Sequence, residues 1–375
     1  MAELVRGNNE FAFGLYRAEG GDDDLIFSPY SISLAFSMAY AGARSETERQ
    51  IAETLSFLPQ DAQHPASNAI EQRMSGLGEQ GGSGKAVPFR LNVANAAWGQ
   101  RGYRFEDAYL ETLAADYGAG IRVLHFGQPE KASEEINAWI SSQTEGRIKD
   151  LASPDAIDPT TRLVLTNAVY FKASWLSRFD DAETKDGGFT PLGGGETTLP
   201  MMRQTTYLNY TEGAGYQAVR LPYKGGAADM LVILPDGGRF DSVEERLDTS
   251  FFGEVRHGLE SRFVRLTIPR FDLEADLDLK KLLERMGLTA PFEPDAADFS
   301  GITGGKDPYI SEALHRANIT VDEKGTEAAA TLLAMAQSAV PRAIEMNVDR
   351  PFVFAIVERE TGAILFLGRV TNPQG

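Results

Sequence analysis

The chain has 375 residues, no cysteine, and 36 Lys and Arg against 54 Asp and Glu, a net charge of −18. Without cysteine there is no disulfide framework, no thiol nucleophile and no thiolate-bound zinc or iron–sulfur centre. The negative charge opposes nucleic acid and anionic membrane surfaces, and no apolar run approaches the ~20 residues that span a bilayer. The first twenty residues, MAELVRGNNEFAFGLYRAEG, are too polar for the apolar core of a secretory leader. The given chain therefore carries no signal peptide: the protein is extracellular if a leader was trimmed, and cytoplasmic otherwise.

The first half reads mostly as helices. Residues 28–40 are apolar nearly all round, with Pro29 at a natural helix start, which predicts a buried helix. Ser45 and Glu48 have the spacing of a capping box. Residues 61–88 hold a weak helix and a Gly-rich loop, 91–98 a strand, and 106–117 a helix. Residues 133–148 are amphipathic, with Ile136, Trp139, Ile140 and Ile148 at roughly helical spacing. From residue 162 strands dominate. Residues 162–171 suit a strand buried on both faces. Further strands follow at 199–211, 216–222, 229–234 and 263–272, then a helix at 278–286 that stops before Gly287. Residues 352–358 and 363–368 form a hairpin around a turn at 361–362.

Catalytic motifs are missing. The four histidines, His64, His125, His257 and His315, form no HExxH pattern, and GxSxG does not occur. Residues 301–306 make an ordinary Gly-rich turn, and the acidic stretches 22–24 and 274–278 lack the glycine of a calcium loop. No cofactor and no metal are expected.

One segment stands out. Residues 328–340, AAATLLAMAQSAV, carry no charge, Pro or Gly. By composition they suit a buried helix, yet strand-like 319–321 and 352–357 flank them. Read with period two, one face carries Thr326, Ala328, Ala330, Leu332, Ala334, Ala336 and Ser338. That face is small enough to enter a sheet without steric conflict or stranded charge. The stretch can be a loop in one state and a central strand in another.

The chain resembles the serpin family along essentially its whole length. The matching stretches include FSPYSISLAFSMAYAGARSET (27–47), INAWISSQTEGRIKDL (136–151), LTNAVYFKASW (165–175), IPRFDLE (268–274), ISEALHRANITVDEKGTEAAAT (310–331) and RPFVFAIVERETGAILFLGRVTNP (350–373). The resemblance implies a mixed α/β (α+β) serpin fold in one domain, 1–375, with three β-sheets, about eight or nine helices and an exposed reactive-centre loop. It implies a monomer that irreversibly inhibits a serine protease. The loop is cut, inserts into the large sheet and traps the acyl-enzyme. The hinge matches Glu323, Gly325, Thr326, Ala328 and Ala330. The family's loop length puts the scissile bond at Ala339–Val340, one residue either way being open. A small residue before the bond suits an elastase- or subtilisin-like protease, with a chymotrypsin-like one second. Ser28, Ser31, Asn167 and His315 match the polar shutter beneath the opening sheet. Trp175, Arg270 and Glu323 match the breach at its top, where Arg270 and Glu323 read otherwise as a surface pair. The helix at 134–148 matches the one that lies across the large sheet. Residues 66–78, where the family binds glycosaminoglycans, hold one Arg and no Lys, so heparin control is not expected. The acidic, cysteine-free composition suggests a bacterial member. The alternative is a non-inhibitory serpin acting as a binding or structural protein.

Overall fold

Every residue of the helix Pro29–Gly42 is buried, which is why it lacks an amphipathic stripe: protein surrounds it. The computed structural model describes residues 1–79, 90–157, 161–306, 308–324 and 342–373. Around that helix, the first half runs α1 (Ala2–Glu19), β1 (Leu25–Phe27), α2 (Pro29–Gly42), α3 (Ser45–Leu55), α4 (Gln60–Glu79), β2 (Arg90–Gln100), α5 (Asp107–Tyr117), β3 (Arg122–Leu124), α6 (Pro129–Gln143) and β4 (Leu163–Lys172). The second half runs β5 (Lys185–Phe189), β6 (Thr197–Gly213), β7 (Tyr216–Pro222), β8 (Ala228–Pro235), α7 (Phe240–Glu244), α8 (Thr249–Gly258), β9 (Glu260–Pro269), β10 (Phe271–Asp278), α9 (Leu279–Arg285), α10 (Ser300–Thr303), β11 (Ile310–Val321), β12 (Ile344–Asn347), β13 (Phe352–Glu358) and β14 (Ile364–Val370).

The strands pair in two networks. Five strands form the order β10-β11-β4-β2-β3, and nine run β1-β14-β13-β8-β7-β6-β9-β12 with β5 also on β6. The 17-residue β6 pairs with β7 near its end and with β5 near its start, while β9 runs along its other edge. It thus ties the two ends of the nine-stranded sheet together, so the described strands form two hydrogen-bonded sheets in a mixed α/β fold, where three sheets were expected.

Helix α2 packs on β2 and β4 of one sheet and on β14 of the other. Across the five-stranded sheet, α6 buries Ile136 and Ile140 against Ala94, Ala96, Val164 and Ala168. Strand β4, covered on both faces, is therefore buried at every position but Lys172.

Three local expectations need correction. The capping box fails: Arg44 is the N-cap of α3 and Ser45 sits at φ 55°, its hydroxyl directed to Asp298 at 3.2 Å. Helix α6 begins earlier, at Pro129, and ends at Gln143, leaving Ile148 in the following turn. The single strand expected at 263–272 is two strands in different sheets, β9 on β6 and β10 on β11, with Arg270 between them. Residues 301–306 hold part of a helix as well as the expected turn: 301–303 belong to α10, which Gly304 caps with φ 77°, and Lys306 is tied to Asp298 at 2.8 Å.

Candidate functional site

Two polar clusters flank the parallel contact between β4 and β11. Their positions follow from register. Asn95 on β2 and His315 on β11 both stand opposite Asn167 on β4, so three polar side chains lie in a row across the sheet beneath the start of α2. Ser28 caps α2 by accepting from the Ser31 backbone N–H at 3.1 Å. This brings Ser31 over the row.

The hydrogen bonds in this cluster close on themselves. His315 Nε2 accepts from the Ser28 backbone N–H at 3.3 Å, and its Nδ1 donates to Asn167 Oδ1. Asn167 Nδ2 donates to Ser31 Oγ at 2.5 Å and to Asn95 Oδ1. Ser31 Oγ donates to Asn95 Oδ1 at 3.3 Å, while Asn95 Nδ2 donates to the Ser31 carbonyl at 2.9 Å. These roles assign His315 the neutral Nδ1–H tautomer. Burial holds its pKa down to about 3, because no carboxylate offsets the cost of an imidazolium there.

The second cluster fixes the end of β11. Trp175 is buried and stacked on Tyr223, rings 4.4 Å apart. Its indole Nε1–H donates to the Asp322 carbonyl at 2.9 Å and its backbone N–H to the Lys324 carbonyl at 3.2 Å. The Phe179 backbone N–H donates to the Glu323 carbonyl at 3.1 Å. Arg270, at the point where the chain changes sheets, donates through Nε to Glu323 Oε1 at 2.7 Å, and the Thr184 hydroxyl donates to the same oxygen. Glu323 is 2% exposed, so this is no surface pair: a half-exposed guanidinium closes over a buried carboxylate. Burial pushes the Glu323 carboxyl up, but the bonds from Arg270 and Thr184 outweigh it and leave the pKa below its ordinary value.

Asn95 and Thr184 complete these clusters and were not singled out from sequence. The signal for Asn95 is an asparagine set between Ala94 and Ala96 on a strand, which needs partners where it is covered. Gly325, Thr326, Ala328, Ala330, Ala339 and Val340 lie outside the described residues. Among the described residues, no group of three or more His, Cys, Asp or Glu could hold a metal ion.

Comparison with known proteins places the chain in a family. The profile described as "Serpin (serine protease inhibitor)" matches residues 6–373; the chain belongs to the serpin family. It is 38% identical to an uncharacterized serpin-like protein of Thermococcus kodakarensis, over 99% of this chain and 86% of that one. It is 33% identical to leukocyte elastase inhibitor of Xenopus tropicalis, over the full length of both. Among solved structures, native protease nexin-1 with heparin superposes with a TM-score of 0.88 at 28% identity, over 99% of this chain and 100% of that one.

Proposed function

We propose that this protein is a suicide inhibitor of serine proteases, of elastase- or subtilisin-like specificity. One observation carries the reading. Strands β4 and β11 are hydrogen-bonded directly and in parallel, and β11 runs straight into the segment holding the uncharged stretch 328–340. A strand folding back from the end of β11 runs antiparallel to both neighbours, so it can replace one parallel ladder with two antiparallel ones. Each added backbone hydrogen bond contributes roughly 0.5–1.5 kcal/mol, and each buried apolar Å² about 25 cal/mol. The uncut fold is thereby held by a barrier rather than by depth.

In this reading Glu323, Gly325, Thr326, Ala328 and Ala330 form the hinge, and the bond between Ala339 and Val340 is attacked. The protease serine becomes esterified to the Ala339 carbonyl as the amine of Val340 leaves. Insertion then outpaces hydrolysis of the ester. Asn95, Ser28, Ser31, Asn167 and His315 form the bonds that exchange partners as β4 and β11 part, and Trp175, Arg270 and Glu323 hold the loop root until cleavage. Control by heparin is not expected, since Arg73 of α4 is occupied by Glu358 at 3.0 Å and Glu360 at 2.5 Å. Adding heparin leaves the association rate unchanged.

The test is incubation with an elastase, a subtilisin and chymotrypsin, read on denaturing gels. A covalent band near the summed masses, short by the released residues 340–375, is expected. If every protease cuts the loop and turns over without a covalent band, the protein is a non-inhibitory binding or structural serpin.

A further inference from the structure

Strand β3 covers only the end of β2, pairing with Trp98 to Gln100. Beside the remainder of β2 lies a cavity of about 370 Å³, bounded by Leu34 and Met38 of α2, Glu71 of α4, Asn95 of β2, and Arg122 and Trp139. This is the size of a small-molecule site. Arg122 is held in place by two rings. Its guanidinium lies 4.6 Å from the centroid of Trp139 and 5.6 Å from that of Trp98, and the two indoles meet edge to face. Among the described residues no carboxylate lies within ion-pairing distance of Arg122. In a chain of net charge −18, an oriented arginine without an acidic partner on the wall of a cavity is a preformed carboxylate fork.

We propose that this cavity binds a small amphipathic monocarboxylate, its apolar body against Trp139, Leu34 and Met38 and its carboxylate on Arg122. Glu71 supplies the selectivity. Its half-buried carboxylate has no ion-pair partner among the described residues, and burial raises its pKa. A second negative charge on the ligand would meet it unfavourably, so one anionic group is accepted and phosphate is not. Asn95 lines the same space while bonded to Ser31 and Asn167. A bound ligand therefore favours the present arrangement of that network to the extent that it prefers it over the parted sheet. The site stands on its own geometry and does not depend on the inhibitory reading.

Adamantanecarboxylate is a suitable probe, since it does not absorb with tryptophan. Of the three tryptophans of the chain, Trp139 lines the cavity and Trp98 packs against Trp139. Titration of the intact protein is expected to change their emission saturably and to raise the melting temperature. Arg122→Gln should bind at least tenfold more weakly. Gly120 also lines the cavity; its φ is not left-handed and an added Cβ meets nothing within 4 Å. Gly120→Leu therefore fills the space without backbone strain and should abolish saturation. No saturable change in the wild-type protein, undiminished affinity in either variant, or an equal response to inorganic phosphate overturns the proposal.

Discussion

His315 spends its two ring nitrogens on two different strangers in sequence, the Ser28 backbone and Asn167. That use is possible only for the neutral ring. With its pKa held to about 3 in the fold and near 6.5 in an unfolded chain, the unfolded state takes up a proton first as pH falls. The stability His315 contributes is complete above about pH 6.5 and is lost progressively as pH drops toward 3. Between pH 7 and pH 5 the loss from this one group is about 2 kcal/mol. His315→Gln removes the titration while keeping an acceptor for Ser28. We expect the variant to be less stable by about 1–3 kcal/mol at pH 7, for the lost bond to Asn167, and the gap to narrow toward pH 5. Urea unfolding at the two pH values measures this; a gap independent of pH contradicts the assignment.

The β9–β10 crossover decides what Arg270 can reach. By leaving one sheet and joining the other at that residue, the chain sets Arg270 beside the end of β11, where Phe271 pairs with Val321. Among the described residues, Arg270→Ala leaves the buried Glu323 carboxylate with the Thr184 hydroxyl as its remaining side-chain donor. We expect a loss of about 1–3 kcal/mol in the uncut protein and, during incubation at 37 °C, faster appearance of a form with a higher melting temperature. Unchanged behaviour would mean that the pair does not restrain the loop root. Elements such as α2, β4 and the β13–β14 hairpin were legible in the sequence because their patterns are local: continuous apolarity, Pro29 at a start, a Gly turn between two apolar runs. The crossover at Arg270 was not, because both halves of 263–272 carry strand-like residues and the change of sheet is made by tertiary pairing. The capping box misled for a similar reason, since Asp298 competes for the Ser45 hydroxyl from far along the chain. Of the polar clusters, Ser28, Ser31, Asn167 and His315 were reached through the family resemblance. Asn95 and Thr184 show their partners only once the strands and loops are assembled.

For the whole molecule, the stored free energy that the proposed mechanism requires has a direct readout. Protein cut once in the loop is expected to melt at a markedly higher temperature than uncut protein, because the inserted strand adds a ladder on each side. Equal midpoints would rule out insertion. Thr326→Arg should separate cleavage from trapping: a charge that must enter the sheet early opposes insertion, so the loop is still cut but the covalent complex gives way to turnover. Unimpaired complex formation by this variant would move the hinge elsewhere.

The parallel contact of β4 with β11 also bears on how the chain is made. Its partners lie roughly 150 residues apart, whereas a strand formed from 325–341 would pair with its immediate predecessor. Closing the short loop costs less entropy and takes less time than closing the long one. In a chain released from its N-terminus, β4 is in place long before β11 emerges, and β11 can dock before the residues after it are free to compete. A denatured full-length chain has no such head start. Under the proposed mechanism, order of emergence helps select the uninserted sheet, and refolding from urea should return a larger share of inserted, inactive protein than synthesis does.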